Sequence, residues 1–223
     1  MSLKGWEIKK IERKDVRDFI EKWHYSKSIN GCIADFCFAL FDELGEMKGA
    51  MFYGRMAMAN QWKKYGKSAS DVIELRRLCC VDETPKNAES YFIGATLKKM
   101  KKEWNGDIVV SYSDLEYGHE GTIYQASNFE KIGKIKGAKK INYNGKLYHD
   151  KTIRTKYKGK LKPFAIKIKN ALETGEAFYV KTAGKVVYTY KLKKRGKRKK
   201  WVSISRFIND ILISEEQEIK NYE

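Results

Sequence analysis

The sequence predicts an α/β fold, a mixed central sheet flanked by helices, followed by a basic C-terminal extension. Three observations lead there. The first 135 residues read in order as strand, helix, hairpin, strand, helix, strand, short helix, strand. Apolar residues make up 42% of the 223, enough for a real core. No repeat or low-complexity linker interrupts the chain, so the tail is expected to pack on the first domain. Charge places the division between residues 1–150, a first domain, and 151–223, the extension.

The elements follow from local patterns. "GWEIKKIERKDVRDFIEKWHYSKS" opens with a short strand, after which Val16, Phe19, Ile20 and Trp23 recur at helical spacing, with Asp15 near the start and His24-Tyr25 at the end. "ADFCFALFDELGEMKGAMFYGRM" reads as two strands around the turn "DELGE", where Gly45 can take a positive φ. "VIELRRLCCV" is an apolar strand with charges toward one end, and "DETPKNAES" is a loop of turn and cap formers. It leads into the amphipathic helix "SYFIGATLKKMKKEW", with Phe92, Ile93, Leu97 and Met100 inward. "DIVVSYSD" is short and β-branched, as a central strand is, and a helix or loop through "HEGTIYQAS" precedes a returning strand at "FEKIGKIKG". Beyond it, "INYNGKLYHDKTIRTKYKG" reads as a strand with basic loops, "PFAIKIKNALETG" as a helix ending at Gly175, and "AFYVKTAGKVVYTYKL" as a hairpin. The last segment, "WVSISRFINDILI", is amphipathic.

Composition narrows the function. The formal net charge is +18, and residues 151–223 hold 20 Lys/Arg against 7 Asp/Glu. A basic face concentrates polyanions and gains free energy from counterion release, so nucleic acid is the first partner to expect. The densest run supplies the candidate contacts Lys193, Lys194, Arg195, Lys197, Arg198, Lys199 and Lys200. No apolar run approaches the ~20 residues that span a bilayer, and the N-terminus lacks a signal-peptide core, so a cytoplasmic protein is expected. Cys32, Cys37, Cys79 and Cys80 form no CxxC pair and read as reduced, buried thiols. The oligomeric state is open, and a homodimer is compatible with the sequence.

Four clusters carry candidate chemistry. "WHYSK" ends a helix. "ELRRL" places Glu74, Arg76 and Arg77 in an apolar strand, where an unpaired charge is costly. "NAES" opens a helix at Asn87 and Ser90, where backbone N–H groups suit an anion. "SYSDLEYGHEGTIYQASNF" leaves the end of the central strand, the place where open α/β sheets bind ligands. An arginine with a helix N-terminus can hold an anionic cofactor, Asp114, His24 or His119 can move protons, and Tyr124 can donate one to a leaving group. Simpler roles stand beside these: Asp114 as a helix cap, Arg77 paired with Glu74 or Asp82, His24 as a helix end and Tyr124 as a core edge. His24, Tyr25, Asp114 and His119 are also candidate ligands for a borderline ion such as iron or zinc.

Taken in order, "WHYSK", "ELRRL" with "PKNAESYFIG", and "SYSDLEYGHEGTIYQASNF" resemble the Mom family of phage DNA-modification proteins over roughly residues 15–155. "GKLYHDKT" and "YTYKLKK" are also similar to that family. The resemblance implies a GCN5-related N-acetyltransferase-like fold, with "IYQASNFEKIGK" similar to its late tyrosine-bearing segment. It further implies an enzyme that converts the N6 amino group of adenine in double-stranded DNA to a carbamoylmethyl derivative, protecting phage DNA from restriction. Carried over by motif, His24, Tyr25, Asp114 and Tyr124 are the catalytic candidates, and Arg77, Ser90 and Asn87 the donor-binding ones. Acetyl-CoA or another glycine or acyl donor is the implied cofactor. The usual acetyltransferase loop Q/R-x-x-G-x-G/A is absent, and "TPKNAES" stands in its place. Other readings are a coenzyme A-dependent N-acetyltransferase acting on a protein or small amine, and a nucleic-acid-binding protein without chemistry.

Overall fold

The computed structural model describes residues 3–192. The basic run from Lys193 to Lys200 and the segment "WVSISRFINDILI" lie outside the described residues. Seven strands form the main sheet in the order β1 (Glu7–Lys10), β2 (Phe36–Phe41), β3 (Met47–Gly54), β4 (Val72–Cys80), β5 (Ile108–Asp114), β12 (Lys185–Lys191) and β6 (Glu130–Ile135). The first four pair antiparallel and β4 pairs parallel to β5, so the sheet is mixed as expected.

Side-chain alternation places a helix on each face of β3. Ala50 and Phe52 pack with Val16, Phe19 and Ile20 of α1 (Arg13–Trp23), in a cluster that also buries Ile29, Cys32, Cys37 and Val81. On the opposite face, Met51 Sδ and the Tyr53 hydroxyl both meet the Thr96 hydroxyl of α2 (Ala88–Glu103), the latter at 2.8 Å. Phe92, Ile93, Leu97 and Met100 of α2 are buried, as their spacing predicts. Gly45 takes φ 80° in the β2–β3 turn. Trp23 departs from expectation: the last residue of α1 is 45% exposed, with Lys22 Nζ 4.8 Å from its ring centroid.

The chain divides into two compact units. Among the described residues the larger comprises 3–113, 121–133 and 187–192, and the smaller comprises 114–120 and 134–186. These junctions differ from the division at 150/151 read from charge, because β12, late in the chain, adds to the main sheet between β5 and β6. The smaller unit is thus mostly chain inserted between β6 and β12. It contains a sheet in the order β11 (Ala177–Lys181), β7 (Lys139–Tyr143), β8 (Lys146–His149), with α4 (Pro163–Thr174) packed on it through Ile168 and Ala171 against Ile141 and Tyr143. It also holds the small hairpin β9 (Lys156–Tyr157) and β10 (Lys160–Leu161).

Two expectations are corrected here. "INYNGKLYHDKTIRTKYKG" is two hairpin arms and a further small hairpin, not one strand: β7 and β8 turn at Asn144 and Gly145, both at positive φ. "AFYVKTAGKVVYTYKL" is no hairpin, since β11 pairs with β7 while β12 joins the main sheet. Among the described residues no helix is long and apolar enough to cross a membrane.

Candidate active site

The parallel ladder between β4 and β5 runs only from Val72↔Ile108 to Leu75↔Ser111, although β4 continues to Cys80. Burial changes at the same point: Val72 to Leu75 are buried, and Arg76 to Cys80 are half-buried. A bulge lies there too, since Leu75 to Arg77 on β4 span a single step, Tyr53 to Phe52, on β3. The bulge at Arg76 and the end of the β5 ladder fall at the same place along β4, and a bulge bends the strand that carries it.

Within this region the charges of β4 separate. Arg76 Nη1 lies 3.2 Å from Glu74 Oε2, and both side chains are about nine-tenths buried. Arg76 also donates to the Arg55 carbonyl at 2.9 Å and to Cys32 Sγ at 3.4 Å. Arg76, rather than Arg77, is therefore the partner of Glu74. Arg77 instead donates through Nε to Ser26 Oγ at 3.2 Å and through Nη1 to the Arg76 carbonyl at 2.7 Å. Ser26 connects it to His24: Nδ1 of that buried ring accepts from the Ser26 N–H at 3.0 Å and lies 2.8 Å from its hydroxyl. With Nδ1 accepting, the neutral ring carries its proton on Nε2. The Tyr25 ring stacks on His24 at 4.1 Å between centroids.

Tyr124 belongs to the short helix α3 (Thr122–Ala126), which starts at Gly121. Gly121 has φ 77°, and a Cβ there would overlap the Tyr188 ring. The two glycines of the motif have distinct reasons: Gly118, at φ 69°, ends the turn after β5, and Gly121 lets α3 approach β12. Gly121→Ala is expected to cost ~2 kcal/mol or more through strain and overpacking, read as a lower urea midpoint at unchanged slope. The Tyr124 ring sits 5.3 Å from Tyr188 and 5.6 Å from Phe129. Burial pushes its hydroxyl up to about 12, against a hydrogen bond with Ser111 that lowers it, while Tyr25, Glu89 and Glu74 add a raising electrostatic influence.

The start of α2 adjoins α3. The Ser127 hydroxyl donates to the Ile123 carbonyl at 2.8 Å and reaches the Ser90 carbonyl at 3.5 Å. Asn87 holds the N-cap position without a side-chain cap bond, and Ser90 Oγ donates to the Asn87 carbonyl at 3.0 Å. His24, Tyr25, Arg77, Asn87, Ser90 and Tyr124 therefore all belong to the larger unit. Asp114 and His119 fall in the smaller one. Asp114 accepts from the Glu116 N–H at 3.2 Å and pairs with Lys185 Nζ at 3.1 Å, the capping role its position also allowed. His119 is exposed, and its ring lies 6.3 Å from that of Tyr117.

Iron gains no support. Among the described residues no group of three or more His, Cys, Asp or Glu is placed to hold a metal. Nδ1 of His24 is taken by Ser26, and the Asp114 carboxylate by Lys185 and Glu116. This donor set does not fit a metal ion.

Three residues escaped the reading of the sequence. Ser26 links His24 to Arg77, Ser111 holds the Tyr124 hydroxyl, and Ser113 is 3% exposed with its Oγ unpartnered among the described residues. The period-two pattern of "SYS" did place Ser111 and Ser113 on one face of β5, which was the available signal.

Comparison with known proteins agrees with the motif order. The chain is 35% identical over 86 residues to the methylcarbamoylase Mom of Escherichia phage Mu. That match covers 36% of this chain and 34% of the phage protein, so it spans about a third of the relative's length. Among solved structures, the ribosomal-protein-S5-alanine acetyltransferase from Vibrio fischeri overlays with a TM-score of 0.47 at 10% identity, covering 86% of this chain and 95% of that one. A putative acetyltransferase from Acinetobacter baylyi gives 0.49 at 10% identity, covering 83% and 92%. The Mom protein family's sequence model matches residues 5–207, a span containing "WHYSK", "ELRRL", "NAES" and the Tyr124 segment together, and the chain belongs to the Mom protein family.

Proposed function

We propose that the protein is a transferase that modifies DNA, replacing an N6 hydrogen of adenine by a carbamoylmethyl group and so shielding phage DNA from host restriction. The observation that carries this reading is the family match over residues 5–207, which includes each element of the candidate site in the larger unit. By direct transfer, the net reaction forms a bond between N6 and the methylene carbon of CH2–CO–NH2, breaks the N6–H bond with release of the proton, and breaks the bond from that carbon to the donor's leaving group, which departs with the electron pair. Acyl transfer of a glycyl unit gives the isomeric amide.

An acyl-coenzyme A type of donor fits the residues present. Beyond Leu75 the edge of β4 toward β5 has no ladder partner among the described residues, and an amide-bearing pantetheine arm can pair there as an added strand. The unpartnered Ser113 hydroxyl lies on the strand across that opening, and the start of α2 near Ser90 suits an anion. Arg77, oriented by Ser26, supplies positive charge on β4. Such a donor would supply an acyl carbon activated as a thioester; its transfer to N6 would break the C–S bond, release the thiol and leave the isomeric glycyl amide, which an intramolecular rearrangement would have to convert to the carbamoylmethyl amine.

Tyr25 and Trp23, 42% and 45% exposed, offer aromatic faces for an adenine flipped out of the duplex. Tyr124 keeps its proton across the neutral range and donates a hydrogen bond to charge that builds up on the departing group. The test is mass spectrometry of nucleosides from plasmid DNA after expression of the protein in bacteria. An adenosine heavier by one carbamoylmethyl group is expected. Unmodified adenosine with soluble protein would instead favour an acetyltransferase acting on a protein or small amine.

A further inference from the structure

The positive charge is not concentrated where the densest basic run suggests. Residues 1–133 hold 21 Lys/Arg and 20 Asp/Glu, nearly balanced. Residues 134–186, which run from the end of β6 to the start of β12, hold 15 Lys/Arg and 3 Asp/Glu, a net +12 of the total +18. From Lys151 to Leu172 there is no acidic residue at all. The stretch 134–186 is therefore the most strongly basic part of the described chain, and residues 114–120, which add Asp114, Glu116 and Glu120, leave the smaller unit at a net +9.

Its most basic feature is the β9–β10 hairpin. Tyr157 pairs with Lys160 and Lys156 with Leu161, and the Lys162 N–H donates to the Thr155 carbonyl at 2.9 Å. Cross-strand partners share a face, so Thr155, Tyr157, Lys160 and Lys162 lie on one side of the ribbon and Lys156 and Leu161 on the other. Lys158 and Gly159 form the tip, both at positive φ, 47° and 78°. Asn or Gly is the favoured residue in such a turn, so a lysine at φ 47° gives the tip charge at a conformational cost. Tyr157 is 66% exposed, with Lys158 Nζ 5.6 Å from its ring centroid. Tyr157, Lys158, Lys160 and Lys162 also line a groove of about 630 Å³ leading to Pro163.

We propose that this ribbon is a duplex-DNA contact: Lys158, Lys160 and Lys162 hold backbone phosphates, and Tyr157 packs its ring on bases or sugars in the groove. The inference rests on DNA being the substrate. A two-stranded ribbon fits the major groove, about 12 Å wide, and a tyrosine among lysines suits a partner that is at once anionic and aromatic. An acidic protein would call for the lysines but leave the exposed ring without a reason.

The experiment measures binding of the full chain to a fluorescent duplex across a salt series, with the Tyr124→Phe background preventing turnover. The triple variant Lys158→Gln, Lys160→Gln, Lys162→Gln is expected to make the log–log salt slope shallower by about 2–3, as removal of three phosphate contacts requires. A control that removes three exposed α2 lysines, Lys98→Gln, Lys101→Gln, Lys102→Gln, is expected to leave the slope near that of the parent. Tyr157→Ala is expected to weaken binding roughly tenfold at an unchanged slope, the signature of a lost uncharged contact with base edges and sugars. All these side chains are exposed, and unchanged circular dichroism checks that the variants fold. Parent-like affinity and slope in the triple variant would overturn the ribbon assignment alone and leave the lysines to an acidic protein partner. Failure of the parent to bind duplex DNA would overturn both the ribbon and the DNA reading of the function.

Discussion

Tyr124→Phe is expected to reduce adenine modification by ~100-fold or more, the size of a lost proton donor, while DNA affinity and the fold survive. The ring's contacts with Tyr188 and Phe129 are apolar and remain in phenylalanine, so the substitution removes only the hydroxyl and its bond to Ser111. Burial raises that hydroxyl to about 12, so it is protonated at any pH used for assay. Two consequences follow for pH. Activity that depends on Tyr124 shows no titration by it below about pH 10, the ordinary tyrosine value. A group raised in the folded state contributes stability that is complete below pH 10 and is lost as pH climbs through 12, so the phenylalanine variant tolerates alkali better than the parent. Modification at the parental rate by Tyr124→Phe would remove the tyrosine from the chemistry and leave it a packing role.

Glu74→Ala is expected to destabilise the protein by ~3–5 kcal/mol, because it leaves the Arg76 guanidinium buried without its counter-charge. Both side chains are about nine-tenths buried, and Arg76 Nε already has no partner among the described residues. The remaining bonds of Arg76, to the Arg55 carbonyl and Cys32 Sγ, are to neutral groups and do not neutralise it. Urea unfolding measures the loss. The double variant Glu74→Leu with Arg76→Met is expected to recover most of it, since an apolar pair removes both desolvation penalties. A double variant as unstable as Glu74→Ala would mean that the bulge at Arg76 depends on the guanidinium itself. Because the bulge coincides with the parting of β4 and β5, that outcome would tie the ion pair to the shape of the opening between these two strands.

Much of the architecture was legible because local pattern and final packing agree. The α2 residues Phe92, Ile93, Leu97 and Met100 sit on one helical stripe, and a stripe of that width has to be buried. "DELGE" and Gly45 gave the β2–β3 turn because only glycine takes that φ cheaply. The Asn144-Gly145 pair was an equally strong hairpin signal that the reading passed over, since the basic residues around it looked like loop. The two strands in "AFYVKTAGKVVYTYKL" could not be assigned partners locally, because a strand's edge accepts any neighbour of matching register.

The site divides along the same line. By itself the sequence determined which side chains can carry chemistry, the mixed sheet with a helix on each face, the excess of positive charge and the family, since these depend on residue type, spacing and order. Tertiary structure alone decided that Arg76 takes Glu74 and leaves Arg77 to Ser26, that Asp114 pairs with Lys185 in a separate unit, and that most of the charge belongs to an insertion rather than a tail. The physical reason is the range of the forces involved: propensity and periodicity act over a few residues, whereas the partner of a buried charge and the neighbour of a strand are set by contacts between segments far apart in the chain.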